Sequence, residues 1–316
     1  MFPVASQKRL ATVAFWLLCL SWGSTYVAIK QGLEALPPFF YAGLRFALAG
    51  LVLGVWMFFR GNLTRLERPD WLRVVPASLF MITVNYGLLN WGIERVDSGL
   101  SAVVNLATVA ISMLGFSLAY RQEPFAWTKA VGIGTGVLGL GLLLGPSAAS
   151  LGQQLASSRP AEELAIIAIA LGSSCYSWGT VLVRPVALRH PAITMSAVQM
   201  MIGGIGLLAL SGATETIRLD TWRQIFAPTI FGSLMYLVVV GSLLGFTLYQ
   251  YLLKRWPSSR VALYTFVSPV IAVMLGSLLF GETITGREVG AAFLMLFGAY
   301  VAGQLGRAGV TKKAYE

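Results

Sequence analysis

Cys19-Leu20-Ser21-Trp22-Gly23 lies inside an apolar run at 10–29, and 156 residues later Cys175-Tyr176-Ser177-Trp178-Gly179 lies inside another at 163–183. Two further echoes follow in the same order. Arg45 to Gly50 matches Gln199 to Gly204 at an offset of 154, and Arg95, Ser98, Ala102, Ile111, Ser117 and Leu118 match Arg255, Ser258, Ala262, Ile271, Ser277 and Leu278 at 160. The chain therefore reads as a duplication. Around these echoes ten apolar runs can be marked: 10–29, 38–59, 71–93, 98–120, 127–145, 163–183, 193–212, 228–253, 261–280 and 289–304. Most approach the roughly 20 residues that carry a helix across a bilayer. Five fall in each half, and an odd number of crossings turns the second half over. The expected fold is an all-α membrane protein of ten transmembrane helices arranged as two inverted five-helix repeats. Its parts are a first repeat at 1–145, a periplasmic-side linker at 146–162, a second repeat at 163–305 and a cytoplasmic tail at 306–316. Inverted repeats are the architecture of many secondary transporters, with the substrate site at the repeat interface near mid-membrane.

Composition agrees. Of 316 residues 56% are hydrophobic and 11% charged, with a mean hydropathy of +0.73; soluble domains carry roughly 25% charged residues. A soluble enzyme or a large extramembrane domain is excluded. The net charge of +10 sits in short connections and not in a basic stripe interleaved with aromatics, so no nucleic-acid partner is expected. With the N-terminus inside, 16 of the 23 Lys and Arg residues face the cytoplasm and six face outward, Arg45 being left within a span. This bias places both termini in the cytoplasm. Lys8 and Arg9 before an apolar stretch imitate a signal peptide, but the stretch has no small-x-small cleavage site and reads as a retained first span. Cys19 and Cys175 lack CxxC neighbours, so neither a disulfide framework nor a metal site is expected. The single histidine, His190, beside Pro191 in a connection, is expected to be solvated. A phosphate-binding glycine loop is absent, which excludes ATP drive within the chain. No cofactor is called for.

Trp22-Gly23-Ser24-Thr25-Tyr26, Pro37-Pro38 and Leu44-Arg45-Phe46, followed in the second half by Ser268-Pro269-Val270, Gly281-Glu282-Thr283-Ile284-Thr285 and Gly290, resemble the EamA-type branch of the drug/metabolite transporter superfamily. The resemblance spans about residues 10 to 305. It implies a ten-helix bundle that moves small metabolites, often exporting amino acids or related compounds across the bacterial inner membrane. Two departures stand out: Thr108-Val109 replaces the Ser-Pro of the second repeat, and Glu123 approximates Glu282 without its flanking pattern.

Polar groups within a bilayer are costly and call for partners. Arg45 lies about 10 Å from the outer end of its helix at 1.5 Å per residue. It either meets a substrate carboxylate or serves structurally, snorkelling outward or bonding a neighbouring helix. Asn90-Trp91 aligns with Gln250-Tyr251. These amides suit a cavity wall, and interhelical amide bonds worth roughly 0.6–2 kcal/mol explain them equally well. Asn85 and Tyr86 lie about one turn before Asn90. Asn105 and Thr108 align with Thr265 and Ser268, each pair on one helix face, with Ser101 and Tyr264 nearby and Pro269 able to free a carbonyl. Trp22 with Thr25 and Tyr26, and Trp178 with Tyr176, could form paired gates over a central cavity. Trp16, Trp56, Trp71, Trp127, Trp222 and Trp256 fit an interfacial belt. The glycines crowding 132–145 are read as intramolecular packing, and the chain as a monomer.

No Asp or Glu occupies the middle of a run; Glu34, Glu94, Asp97, Glu123 and Glu282 sit at ends. That argues against a polyaromatic-cation exporter, which would need a buried anion. The expected partners are a small zwitterionic or neutral metabolite and membrane lipid. Two rivals remain: a lipid-acting enzyme, which one histidine does not equip, and a receptor or scaffold, which would bind a protein and carry no flux.

Overall fold

The computed structural model describes residues 4–61, 64–93, 95–96, 98–144, 160–280 and 283–304. Most of the 146–162 connection, the tail, Glu94, Asp97 and Glu282 lie outside these residues. Among the described residues there is no strand, and ten long helices follow one another: α1 (Val4–Leu33), α2 (Pro38–Phe59), α3 (Arg68–Ile93), α4 (Ser98–Ala119), α5 (Trp127–Leu144), α6 (Pro160–Arg189), α7 (Ala192–Thr214), α8 (Pro228–Leu253), α9 (Tyr264–Phe280) and α10 (Gly286–Gln304). Among the described residues seven helices are long and apolar enough to cross a membrane, and a shorter apolar helix covers Trp127–Leu143. This is a multi-pass membrane-protein fold.

Helix starts follow local chemistry. Pro38 and Pro228 occupy the first turns of α2 and α8, where a missing N–H costs nothing. The α2 amides of Phe39 and Phe40 donate to the Glu215 carboxylate at 2.8 and 2.9 Å, which satisfies exposed donors and complements the helix dipole. Helices α1 and α6 run beyond the apolar stretches at 10–29 and 163–183, because hydropathy marks the lipid thickness while charged residues at the ends continue a helix without difficulty. The run at 261–280 is broken instead: a single turn, Ser258–Val261, precedes α9.

Both α3 and α8 contain a wider π-helical stretch, at Leu79–Val84 and Leu237–Leu244. Such a stretch shifts the backbone bonding and offers carbonyls to other helices. In α8 the Val240 carbonyl accepts from Ser21 Oγ at 2.6 Å and the Gly241 carbonyl from Trp22 Nε1 at 3.1 Å.

Packing relates the halves. Helix α2 packs on α7 and α5 on α10; α1 contacts α8 and α9 as α6 contacts α3 and α4. Small residues permit the two central crossings. A Cβ on Gly50 would lie 2.7 Å from the Met201 amide nitrogen, one on Gly139 would lie 2.8 Å from that of Met295, and one on Gly298 would lie 2.5 Å from the Gly132 carbonyl oxygen. Gly132, Gly136 and Gly139 thus face neighbouring helices of the same chain, whereas Gly134 and Gly141 face open space. Gly298→Val is expected to destabilise the protein by about 1–3 kcal/mol through overpacking, while Gly134→Ala leaves thermal unfolding in detergent unchanged. Equal unfolding of the two variants would contradict the close α5–α10 crossing.

Candidate functional site

A cavity of about 160 Å³ lies between α1, α2, α3, α4, α8 and α9, with Tyr176 of α6 at its wall. That is small beside the roughly 300–1,000 Å³ of pockets that hold drug-sized ligands. Its aromatic lining is Trp22, Phe46, Tyr86, Tyr176, Phe246 and Tyr264; its polar lining is Thr25, Arg45, Asn85, Asn105 and Ser268. Among the described lining residues no carboxylate is present, and Arg45 is the one charge.

Arg45 is 5% exposed. Its Nε donates to Ser242 Oγ at 2.8 Å, in the π-helical stretch of α8, and its guanidinium carbon sits 4.9 Å from the Phe46 ring centre. Glycine at 241 leaves it room, since a Cβ there would lie 2.7 Å from Nη2. One turn earlier Tyr41 OH donates to the Ala28 carbonyl at 3.2 Å and lies 2.9 Å from Ser233 Oγ, which fixes α2 between α1 and α8. Among the described residues no carboxylate forms an ion pair with Arg45, whose described contacts are the Ser242 hydroxyl and the Phe46 ring.

The rings form one cluster. Trp22 stands edge-on to Tyr264 at 4.6 Å and 5.5 Å from Tyr249, which also lies 5.9 Å from Tyr176 and 6.1 Å from Phe246. Tyr249 is anchored by a 2.8 Å hydrogen bond between its hydroxyl and Thr180 Oγ1. On the other wall Ser173 Oγ donates to Asn105 Oδ1 at 2.7 Å, Ser268 Oγ donates to the Cys19 carbonyl at 3.3 Å, and Asn85 Oδ1 is buried without a partner.

Of the residues singled out in the sequence, Trp22, Thr25, Arg45, Asn85, Tyr86, Asn105, Tyr176, Tyr264 and Ser268 come together here. Others lie elsewhere. Gln250 is fully buried and donates through Nε2 to Gln199 Oε1 at 3.0 Å. Thr265 is fully buried and donates to the Ala262 carbonyl at 2.8 Å. Asn90 and Thr108 are half-buried and outside the lining. Trp178 donates to Tyr120 OH at 2.7 Å and stands edge-on to Phe80, so it does not face Trp22 across this cavity. Tyr26 is in α1, and its side chain falls outside the described residues. Met81, Ile82 and Phe246 had no signal as apolar residues in apolar runs, although Phe246 stands 160 residues after Tyr86, the offset of the third echo, and Phe46 was marked only as part of the Leu44-Arg45-Phe46 motif. Trp256, assigned to the interfacial belt, is half-buried against Phe15.

One end of the bundle, where α3, α5, α7 and α9 begin, is tied by polar bonds. Glu123, 7% exposed, accepts from Lys129 Nζ at 2.7 Å, from the Ser259 amide at 3.0 Å and from Ser259 Oγ. Burial alone would raise the Glu123 carboxyl; the hydrogen bonds from Lys129 and Ser259 outweigh it and hold the group below its ordinary value. Asp70 binds Arg189 and lies 2.9 Å from His190 Nε2. His190 is therefore buried and bonded where solvation was expected, because the α6–α7 turn folds over the start of α3. Lys254 Nζ donates to the His190 carbonyl at 2.8 Å, and Gln122 Nε2 to the Val181 carbonyl at 2.7 Å. Among the described residues the opposite end has no buried ion pair.

Comparison with known proteins places this geometry in a family. The profile of the EamA-like transporter family matches twice, over residues 9–145 and 163–304. The chain is 31% identical over 290 residues to the uncharacterised inner membrane transporter YedA of Escherichia coli K12, covering 90% of this chain and 87% of that protein. It is 29% identical to the uncharacterised transporter YvbV of Bacillus subtilis over 88% of this chain and 86% of that one. A WAT1-related chloroplastic protein of Arabidopsis thaliana is 27% identical over 90% of this chain and 68% of its own. A crystal structure 19% identical in sequence superposes with a TM-score of 0.77, covering 95% of this chain and 99% of that one, and shows the same fold. The chain belongs to the EamA-like transporter family and is a multi-pass membrane transporter of the drug/metabolite type, not an enzyme.

Proposed function

We propose that the protein exports small carboxylate-bearing zwitterions, amino acids or related compounds, across the bacterial inner membrane by alternating access. The observation that carries this reading is the cavity itself: one buried cation, aromatic walls, short polar side chains and no described carboxylate. A carboxylate entering it would meet the Arg45 guanidinium held by Ser242, and apolar or aromatic portions would stack on Trp22, Tyr86 and Tyr264. A cationic drug would find no counter-charge there.

The carrier is two inverted five-helix repeats, 1–145 and 163–305, joined by a periplasmic-side linker at 146–162 and ending in a cytoplasmic tail. The twofold family match, the sequence echoes and the π-helical stretches in both α3 and α8 support this arrangement. With both termini in the cytoplasm, the end tied by Glu123, Asp70 and His190 is the inner end, and the cavity belongs to an outward-facing state. Rocking of one repeat against the other, breaking those ties and closing the outer side, completes the cycle. Thr108, Thr265 and Trp178 are assigned to surfaces that the cycle uncovers, Asn90 to the outer side that is already accessible, and Tyr26 to the outer gate.

Binding is tested with the purified chain by thermal unfolding. An amino acid at 100-fold its dissociation constant stabilises the folded state by about 2.7 kcal/mol, so a mixture of amino acids is expected to raise the melting temperature while their methyl esters do not. Equal stabilisation by the esters would remove Arg45 as the carboxylate partner.

A further inference from the structure

We propose that Gln199 of α7 and Gln250 of α8 form a second polar subsite, facing the cytoplasm and closed in this state, that takes the ammonium and carboxylate groups of a zwitterionic solute. The proposal rests on the inverted-repeat carrier described above and adds a second station to it.

Both side chains are fully buried, and they are joined by a single bond, Gln250 Nε2 to Gln199 Oε1 at 3.0 Å. Gln199 Nε2 and Gln250 Oε1 have no partner. Exchanging the oxygen and nitrogen of both amides reverses the bond but still leaves one free donor and one free acceptor, so the conclusion does not depend on how the amides are oriented. A pair serving only to hold α7 to α8 would be better satisfied, or replaced by apolar residues, in a segment where unmet polar groups are costly. One donor beside one acceptor is the complement of a zwitterion: the N–H serves a carboxylate oxygen and the carbonyl serves an ammonium group.

Position supports the same reading. Gln199 stands 154 residues after Arg45, and Gln250 stands 160 after Asn90, the offsets that relate the two repeats. Gln199 is the eighth residue of α7, as Arg45 is the eighth of α2. Gln250 lies one turn beyond Phe246 toward the closed end, beneath the Phe246 and Tyr176 side of the cavity, where Tyr249 packs against both rings from outside the lining. The mates differ in access: Asn90 is half-buried while Gln250 is sealed. When the repeats exchange conformations, the amide pair takes the place that Arg45 now holds. A neutral pair on this side also binds the solute without the full charge of an arginine.

The test uses the full chain with Cys19→Ser and Cys175→Ser, which removes both native thiols, and adds Gln199→Cys, Gln250→Cys or Asn90→Cys singly. A membrane-impermeant maleimide is applied to either face of sealed vesicles. Gln199→Cys and Gln250→Cys are expected to be modified from the cytoplasmic face and protected from the outer face, with Asn90→Cys showing the reverse. Gln199→Leu and Gln250→Leu, in the native background, are expected to keep the wild-type melting temperature and lose solute exchange. Failure of the maleimide to reach either position from the cytoplasm, or unchanged exchange by both leucine variants, overturns the subsite. The labelling requires no knowledge of the substrate, so failure of amino-acid exchange would sink the amino-acid reading and leave this proposal to be decided by the maleimide.

Discussion

Proteoliposomes carrying Arg45→Gln are expected to lose amino-acid counterflow by roughly ten- to a hundredfold. A hydrogen bond to a charged group contributes about 1.5–3 kcal/mol, and the guanidinium offers the one full positive charge in the cavity. Gln retains a donor for Ser242 Oγ, which now accepts from Arg45 Nε at 2.8 Å, so the link from α2 to α8 can persist. The melting temperature of Arg45→Gln is therefore expected to stay near that of the wild type. Arg45→Lys should recover only part of the rate, because an ammonium keeps the charge but not the planar fork. Full activity of Arg45→Gln would return Arg45 to a structural role, the other reading its position allows.

Glu123→Gln is expected to cost about 3–5 kcal/mol of stability, the range found when one partner of a buried ion pair is removed. Lys129, itself 5% exposed, would be left without its carboxylate, and Ser259 would lose the acceptor for its amide and hydroxyl. The acid limb of the stability profile follows from the same contacts. The folded-state carboxyl lies below the ordinary 4.5, so its contribution is complete above that value and disappears as pH falls through the lowered one. Unfolding monitored between pH 7 and pH 3 should show wild-type stability flat at first and then declining below about 4.5, with the decline reduced in Glu123→Gln. In transport, the variant is expected to favour the state with the inner end open, since the tie between the α4–α5 connection and the start of α9 is gone. Wild-type stability in Glu123→Gln would show that the buried pair contributes nothing to closing that end.

Much of the architecture is legible in the sequence for physical reasons that particular residues make plain. The boundaries of α2 and α8 coincide with their apolar runs because Pro38 and Pro228 start them and Arg60 and Lys254 follow them. Trp22, Arg45, Asn105 and Tyr176 draw attention because each is polar or aromatic within an apolar run, where such groups need partners. What stays hidden depends on tertiary choice. Nothing in Ser242 distinguishes it as the partner of Arg45, and the two π-helical stretches carry no shared sequence signal. Phe246 and Ile82 face the cavity, but an apolar residue facing solute and one facing lipid have the same composition. Gln250 aligns with Asn90 yet is sealed against Gln199 while Asn90 stays half-buried, a difference that depends on which helix packs over each amide. The burial of His190 follows from the path of the α6–α7 turn over Asp70, which no local pattern foretells.

The measurement that bears most directly on the account is counterflow in proteoliposomes of the wild-type chain, loaded with a mixed pool of amino acids, sugars, nucleosides and small amines and read by mass spectrometry. The account predicts selective exchange of the amino acids, lost in Arg45→Gln. Exchange confined to sugars, nucleosides or amines, or no exchange at all from protein that melts normally, would contradict it.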